Sequence, residues 1–443
     1  MKILNLAALV IISPYTSLAS AQIGPKPLDA AVRKEVVEQL ADEIAGQYAY
    51  ADAGNKMADL LRTRLASRAY DDIHSGELLA QALDDDLHTV VVDKHLHVSF
   101  GARPGPQRGP PRDARASNGA LRRAEILPGN VGYLEVNAVP PPELAQEAIA
   151  AAFAFLKNTD ALILDLRGNS GGAPETCALY MSYLSEGPPY VVNTLQDRTA
   201  GTQETRTSDL GDRSYGKSRP VFVLTSPRTF SGGEELAYDI QSFKRGRVVG
   251  EVTGGGANPG DLRPLSHGFS VFLPTGYAVN PLTLTNWEGA GVKPDVAVPA
   301  ALALLEAHRL AVMQLKASAA DPRMKDALQA LAQSLAGEES ETSRRIPPDK
   351  DADPYIGTYG PPMGAPGPHA TVSKGEGSLM LQLTNRPANR LVRVSPNSYR
   401  LDGLPEDFTV TFTIDAGRSQ LWLHLGDWLP LPPLAKETKA SRD

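Results

Sequence analysis

Apolar residues recur every three to four positions between residues 28 and 92. Val36, Leu40, Ile44 and Tyr48 fall on one face, then Met57, Leu61 and Leu65, then Leu79, Leu83 and Leu87. That spacing predicts three amphipathic helices. The run His95-Leu96-His97-Val98-Ser99-Phe100 that follows reads as a short strand. From 127 to 300 the period alternates. Strands are expected at Val131–Val136, Ala161–Leu166, Val221–Thr225, Arg247–Val252 and Phe269–Leu273. Helices are expected at Pro141–Leu156, Pro174–Leu184 and Gly232–Phe243. The strand Ala161–Leu166 is apolar throughout, which suits burial on both faces. The alternation predicts an α/β domain with a largely parallel sheet. Two helices, at 301–317 and 321–336, close it. Residues 337–352 are polar and mark a boundary. Beyond them, Ser378–Leu383, Phe408–Ile414 and Leu421–Leu425 alternate between Gly, Pro and Asn punctuation, which predicts a small antiparallel β domain over 353–435.

Composition refines this outline. Residues 101–120 contain four Pro, four Gly and four Arg, an extended arm between a helical region at 22–100 and the α/β core at 121–336. The first residues, MKILNLAALVIISPYTSLASAQ, join Lys2 to the apolar run Ile3–Ile12 and the small-x-small site Ala19-Ser20-Ala21. This reads as an export signal over 1–21, cleaved after about Ala21. Ser13 and Pro14 break the run short of a membrane span. The expected mature protein is therefore soluble and exported, periplasmic or secreted. With 44 Lys+Arg against 51 Asp+Glu, the net charge of −7 gives no support for nucleic acid as a partner. The single cysteine, Cys177, rules out an internal disulfide framework and a cysteine zinc cluster.

Four segments are able to carry chemistry. Leu166-Arg167-Gly168-Asn169-Ser170-Gly171-Gly172 follows a buried strand, where glycine N–H groups converge on an anion or simply make a tight turn. Thr229-Phe230-Ser231-Gly232-Gly233-Glu234 puts Ser231 at a helix start, with Gly232 supplying the next N–H. The same Ser-x-x-Glu spacing is a capping box, and the two roles are compatible. Asp93-Lys94-His95-Leu96-His97 places two imidazoles on one strand face. They are a base for Ser231, a zinc pair or ordinary strand histidines. Asn286-Trp287-Glu288-Gly289 offers Glu288 to orient a histidine, or is an ordinary turn.

Together and in this order, the four segments resemble the S41 peptidase family. It includes C-terminal processing proteases, the tricorn core and the repeats of interphotoreceptor retinoid-binding protein. The resemblance covers roughly residues 30–315 and implies a ClpP/crotonase-like core, here with an N-terminal helical cap and the added C-terminal β domain. The processing branch carries a PDZ domain, for which the 101–120 arm leaves no room. That branch uses a Ser–Lys dyad, whose lysine position falls on Gly256 in Gly250-Glu251-Val252-Thr253-Gly254-Gly255-Gly256-Ala257. The tricorn-like branch uses His and Glu, matched by His95 and Glu288. The resemblance therefore implies a serine peptidase acting on peptide or protein substrates, with Ser231, His95 and Glu288 catalytic. Gly232 and Gly171 would form the oxyanion hole, with His97 and Gly172 as neighbours. Whether His97 is neighbour or base stays open. No metal or organic cofactor is implied. The alternatives are a non-catalytic binder of hydrophobic ligands on the same fold, and an amidase or esterase with the same residues.

Overall fold

The computed structural model describes residues 28–101, 118–344 and 353–436, the last without 362–368, 376–377, 385–387, 396, 403–407, 416–417 and 426–433. Residues 1–21, read above as an export signal, and most of the Pro/Gly/Arg arm lie outside the described residues.

Three helices form as their apolar spacing requires: α1 (Ala30–Gln47), α2 (Ala51–Ala66) and α3 (Gly76–His88). Asp29 opens α1 by accepting the Val32 N–H at 2.8 Å, which satisfies one orphan donor of the first turn. Leu40, Ile44, Met57, Leu61, Leu79 and Leu83 bury into one cluster, but the helices do not complete it alone. Leu265, Phe269, Val271 and Leu273 fill its remaining side. These belong to a later part of the chain that includes strand β10.

The strands, in chain order, begin with β1 (His97–Phe100), β2 (Leu121–Leu127), β3 (Val131–Val136) and β4 (Ala161–Asp165). A polar hairpin follows, β5 (Val191–Asp197) and β6 (Gly201–Arg206). Then come β7 (Val221–Thr225), β8 (Arg247–Gly250), β9 (Gly260–Pro264), β10 (Phe269–Pro274), β11 (Gly276–Val279) and β12 (Val296–Ala297). The central sheet has the order β12-β8-β7-β4-β3-β2. All its neighbours are parallel except β2, which forms an antiparallel hairpin with β3.

Both faces of this sheet are covered, and side chains alternate between them with the strand period of two. Leu134, Leu162, Leu164 and Val223 pack towards α4 (Pro142–Leu156), α5 (Pro174–Leu184) and α6 (Gly232–Ser242). Tyr133, Ile163, Phe222 and Leu224 pack towards α7 (Ala303–Ser318) and α8 (Pro322–Arg344). Two-sided burial is why these strands read as continuous apolar runs.

Some expectations change. Phe269–Leu273 does not join the central sheet. It is the middle of a separate sheet, β1-β10-β9, with His97 opposite Phe272. Its inward side chains complete the core of the N-terminal helices. The strand expected from His95 starts at His97, because the Asp93 carboxylate takes the N–H groups of His95 (3.0 Å) and Leu96 (3.4 Å) and holds them in a turn. Helix α8 runs into the polar segment read as a boundary. The sheet β11-β5-β6 was not expected.

The C-terminal β region closes into an eight-stranded antiparallel barrel: β13 (Gly357–Gly360), β14 (Ala370–Gly375), β15 (Ser378–Leu383), β16 (Asn389–Ser395), β17 (Ser398–Leu401), β18 (Phe408–Asp415), β19 (Arg418–Leu425) and β20 (Leu434–Lys436). Pairing of β13 with β20 removes the sheet edges. Val372, Leu381, Tyr399, Phe412 and Leu423 fill its interior.

Because Phe269 of β10 is wholly buried in the cluster that holds the N-terminal helices, Phe269→Ala is expected to cost about 3–5 kcal/mol. The urea midpoint measures this. An unchanged midpoint would mean that the helices do not depend on β10 for their core.

Candidate active site

Two glycine-bearing turns leave the C-terminal ends of adjacent parallel strands, β4 and β7, and lock together. Thr229 Oγ1 donates to the Leu166 carbonyl (2.8 Å), Ser226 Oγ to that of Arg167 (2.7 Å), and the Phe230 N–H to that of Asn169 (2.9 Å). Ser231 follows at the head of α6 with φ 53° and ψ −123°. A non-glycine residue rarely adopts such a backbone, which carries about 1–3 kcal/mol of strain. Gly171 presses on it: a Cβ at 171 would lie 2.6 Å from the Ser231 Cβ, and φ there is +99°. Only glycine fits.

Gly171 was expected to supply an oxyanion N–H. That N–H instead donates to Asn169 Oδ1 at 2.9 Å, so it is committed inside the turn. The N–H groups of Gly172 and Gly232 have no acceptor among the described residues. They are also close, since a Cβ at Gly232 would lie 3.0 Å from Gly172 N. The Gly232 N–H belongs to the first turn of α6, where the partial positive charge of the helix is concentrated.

Glu234 ties this turn to the next. Its buried carboxylate accepts from the Ser231 N–H (2.9 Å), which is the return half of the expected capping box. It also accepts from Thr253 Oγ1 (2.5 Å) and the N–H groups of Gly255 (2.6 Å) and Gly256 (2.8 Å). Burial raises its pKa to about 6 against these four donors, which favour the charged form.

His95 packs beside the loop so fixed. Its ring lies 4.6 Å from that of Phe230, the residue before Ser231, and 5.9 Å from that of Phe272. A Cβ on Gly256 would fall 2.8 Å from His95 Cε1. The imidazole thus lies against the position from which a side chain at 256 would project. Burial lowers the His95 pKa to about 4, with Asp93 opposing and His97 assisting the shift. Its Nδ1 is buried without a partner. His97 takes a neighbouring role: its Nδ1 pairs with the His95 carbonyl at 2.9 Å, and its ring stacks on Phe272 at 5.8 Å.

Glu288 follows Trp287, whose indole N–H donates to the Gly256 carbonyl at 2.8 Å. Glu288 Oε2 accepts the Ala257 N–H at 2.5 Å, while Oε1 is buried without a partner. Burial, reinforced by Asp93, raises its pKa to about 8; the Ala257 N–H opposes and Glu234 adds to the shift.

Sequence reasoning left Asp93 without a defined role. Besides the two N–H groups of its turn, it accepts from Tyr48 Oη (3.0 Å) and Asn258 Nδ2 (2.9 Å). The signal was the carboxylate two residues before His95. One ligand atom each from Asp93, His95 and Glu288 lies within 4.8 Å of the others. These three are the residues here that could hold a divalent ion, although Asp93 already serves four donors.

Residues 130–298 match the model of Peptidase family S41, and residues 29–122 match the N-terminal domain of Peptidase_S41 in eukaryotic IRBP. The chain belongs to peptidase family S41. This S41 chain is 29% identical over 197 residues to carboxyl-terminal-processing peptidase 2, chloroplastic, of Arabidopsis thaliana. The match covers 42% of the chain and 37% of that relative. Among solved structures it is similar to a photosystem II D1 C-terminal processing protease, at 24% identity and TM-score 0.32, over 40% of this chain and 46% of that one. It is also similar to a lipoprotein from Streptococcus agalactiae, at 14% identity and TM-score 0.44, over 64% and 96%. Among the described residues no helix is long and apolar enough to cross a membrane.

A Cβ on Gly256 would also come within 2.4–2.5 Å of the Phe230 ring. Gly256→Ala is therefore expected to push the imidazole aside and slow reaction of Ser231 with a fluorophosphonate by about a hundredfold. Labelling kinetics measure this. An unchanged rate would show that the imidazole position is immaterial to the serine.

Proposed function

We propose that this S41 chain is an exported serine peptidase that hydrolyses peptide bonds through an acyl-enzyme. Ser231 is the nucleophile, His95 the general base and Glu288 the group that orients the imidazole. One observation carries the reading. A serine with a strained backbone sits at a helix N-terminus, and an imidazole packs on the residue before it. The free N–H groups of Gly232 and Gly172 are assigned the oxyanion, each worth on the order of 3–4 kcal/mol in the transition state.

The reaction divides among these residues as follows. His95 is neutral above about pH 4 because it is buried, so it is able to accept the Ser231 proton throughout the neutral range. Ser231 Oγ then attacks the scissile carbonyl, and the developing oxyanion meets the two glycine N–H groups. The imidazolium returns its proton to the leaving amine, and water repeats the sequence on the ester. Peptide or protein is the substrate class, delivered outside the cytoplasm after removal of residues 1–21. The C-terminal barrel is assigned to substrate or partner presentation.

Ser231→Ala is expected to abolish fluorophosphonate labelling and peptide turnover. His95→Ala is expected to slow both by about a thousandfold or more. Undiminished turnover in Ser231→Ala would reject the nucleophile. Turnover confined to esters, or no turnover together with co-purified lipid, would favour the esterase or binder reading.

The pH profile is a separate test. A base with its pKa lowered to about 4 keeps most of its rate at pH 6.5, where an ordinary imidazole of pKa ~6.5 would be half protonated, and the loss expected on further acidification follows Glu234, whose pKa is about 6. A carboxyl raised to about 8 ionises above that pH, so a further rise in rate is expected there. Glu288→Gln should remove this upper step. Half-loss of rate near pH 6.5 would contradict a buried base.

A further inference from the structure

The Asp93 carboxylate joins three parts of the chain. Its Oδ1 accepts the N–H groups of His95 (3.0 Å) and Leu96 (3.4 Å). Its Oδ2 accepts from Tyr48 Oη (3.0 Å) and Asn258 Nδ2 (2.9 Å). Four donors fill the lone pairs that an ionised carboxyl offers. Asp93, Tyr48 and Asn258 are all buried.

The two donors to Oδ2 are each held by their own surroundings. Tyr48 directly follows α1, and its N–H returns to the Ile44 carbonyl at 3.1 Å. Its carbonyl accepts from Arg198 Nη1 (3.0 Å), and the next N–H, of Ala49, donates to the Pro274 carbonyl at the end of β10 (2.9 Å). The backbone that carries the phenol is thus pinned on both sides. Asn258 lies in the loop after β8, next to Ala257, whose N–H serves Glu288. Consecutive residues of one loop therefore serve the two carboxyl groups that lie within 4.8 Å of a His95 ring nitrogen. Lys94 Nζ ties the same turn to the same loop by donating to the Gly254 carbonyl. Phenylalanine would fill the volume of the Tyr48 ring equally well. The hydroxyl is what distinguishes the position, and it is directed at the carboxylate of the turn that carries His95.

We propose that Tyr48 and Asn258 are positioning residues: through the Asp93 carboxylate they fix the turn that carries His95, so the N-terminal helical region supplies part of the catalytic centre. The inference rests on the peptidase reading above, in which His95 is the base.

The test uses the full chain and follows two quantities: the rate at which a fluorophosphonate labels Ser231, and kcat and KM on a quenched fluorescent peptide. Tyr48→Phe removes one hydroxyl and keeps the ring. It is expected to slow labelling about tenfold or more. It should lower kcat with KM unchanged, because it loosens the base and not the substrate contacts. Asn258→Ala should do the same, and serves if the tyrosine variant fails to fold. Both act through one carboxylate, so neither should slow labelling further in an Asp93→Asn background. A merely structural role would add its cost there. Equal labelling rates in the native and variant chains would overturn the inference, as would a rise in KM at constant kcat or full additivity with Asp93→Asn. A native chain whose serine is not labelled would instead reject the peptidase reading, and the inference with it.

Discussion

Four donors from two turns meet on the Glu234 carboxylate, and the rest of the site is arranged around that meeting. The Ser231 N–H belongs to the turn that opens α6. Thr253, Gly255 and Gly256 belong to the loop after β8. Burial alone would keep Glu234 protonated, and the donors work against that, leaving it with a pKa of about 6 and ionised at neutral pH. Each charge-assisted bond contributes about 1.5–3 kcal/mol. The strained serine is thereby held from both sides, by the Glu234 carboxylate and by the Gly171 backbone packed against its Cβ. The same negative charge reaches Glu288 and helps to keep its proton on.

His95 comes to this place by a different route. It precedes β1, which pairs with β10, and β10 is part of the core of the three N-terminal helices. The helical region and β10 therefore cannot pack independently: the cluster that stabilises the helices also fixes the strand beside the imidazole. Gly256 explains why a histidine is accommodated. A side chain at 256 would compete with the imidazole for the same volume. A longer side chain at 256 and this placement of His95 exclude one another on steric grounds.

Much of this was legible because burial leaves a period in the sequence. The helices α1 to α3 carry their apolar residues at i, i+4, and the central strands are apolar throughout because helices cover both faces. What period does not reveal is partnership. Phe269–Leu273 looks like any buried strand, and only its membership of the cluster that holds Leu40 and Leu79 decides which core it enters. The hairpin β5–β6 is polar and largely exposed on one strand, so it left no hydrophobic signal. Ser231 and Glu234 were legible as a capping pair, because local spacing specifies both ends of the interaction. Gly171 and Gly172 could not be ranked from sequence. The choice turns on where the Asn169 side chain points, and that side chain takes the N–H of Gly171. Asp93 was hidden for the same reason, since two of its partners are backbone N–H groups.

Burial acts on His95 and Glu288 in opposite directions and drives both towards their neutral forms. At neutral pH the resting pair therefore carries no ion pair of its own. In the proposed mechanism the imidazole takes a proton from Ser231, and the new charge needs a counter-charge. Among the groups acting on His95, Asp93 is the one that favours the protonated ring, against burial and His97. Its carboxylate is held in place by Tyr48, Asn258 and the turn that carries His95 itself. That divides the labour between two carboxyl groups. Under the proposed mechanism Asp93 would stabilise the imidazolium by proximity from a fixed position. Glu288, whose Oε1 is unpartnered and which has a ligand atom within 4.8 Å of one of His95, would under the same mechanism take the ring N–H once the imidazolium forms. The positive ring would lower the Glu288 pKa towards its ordinary range, so proton transfer to His95 would itself favour ionisation of the carboxyl proposed to orient it.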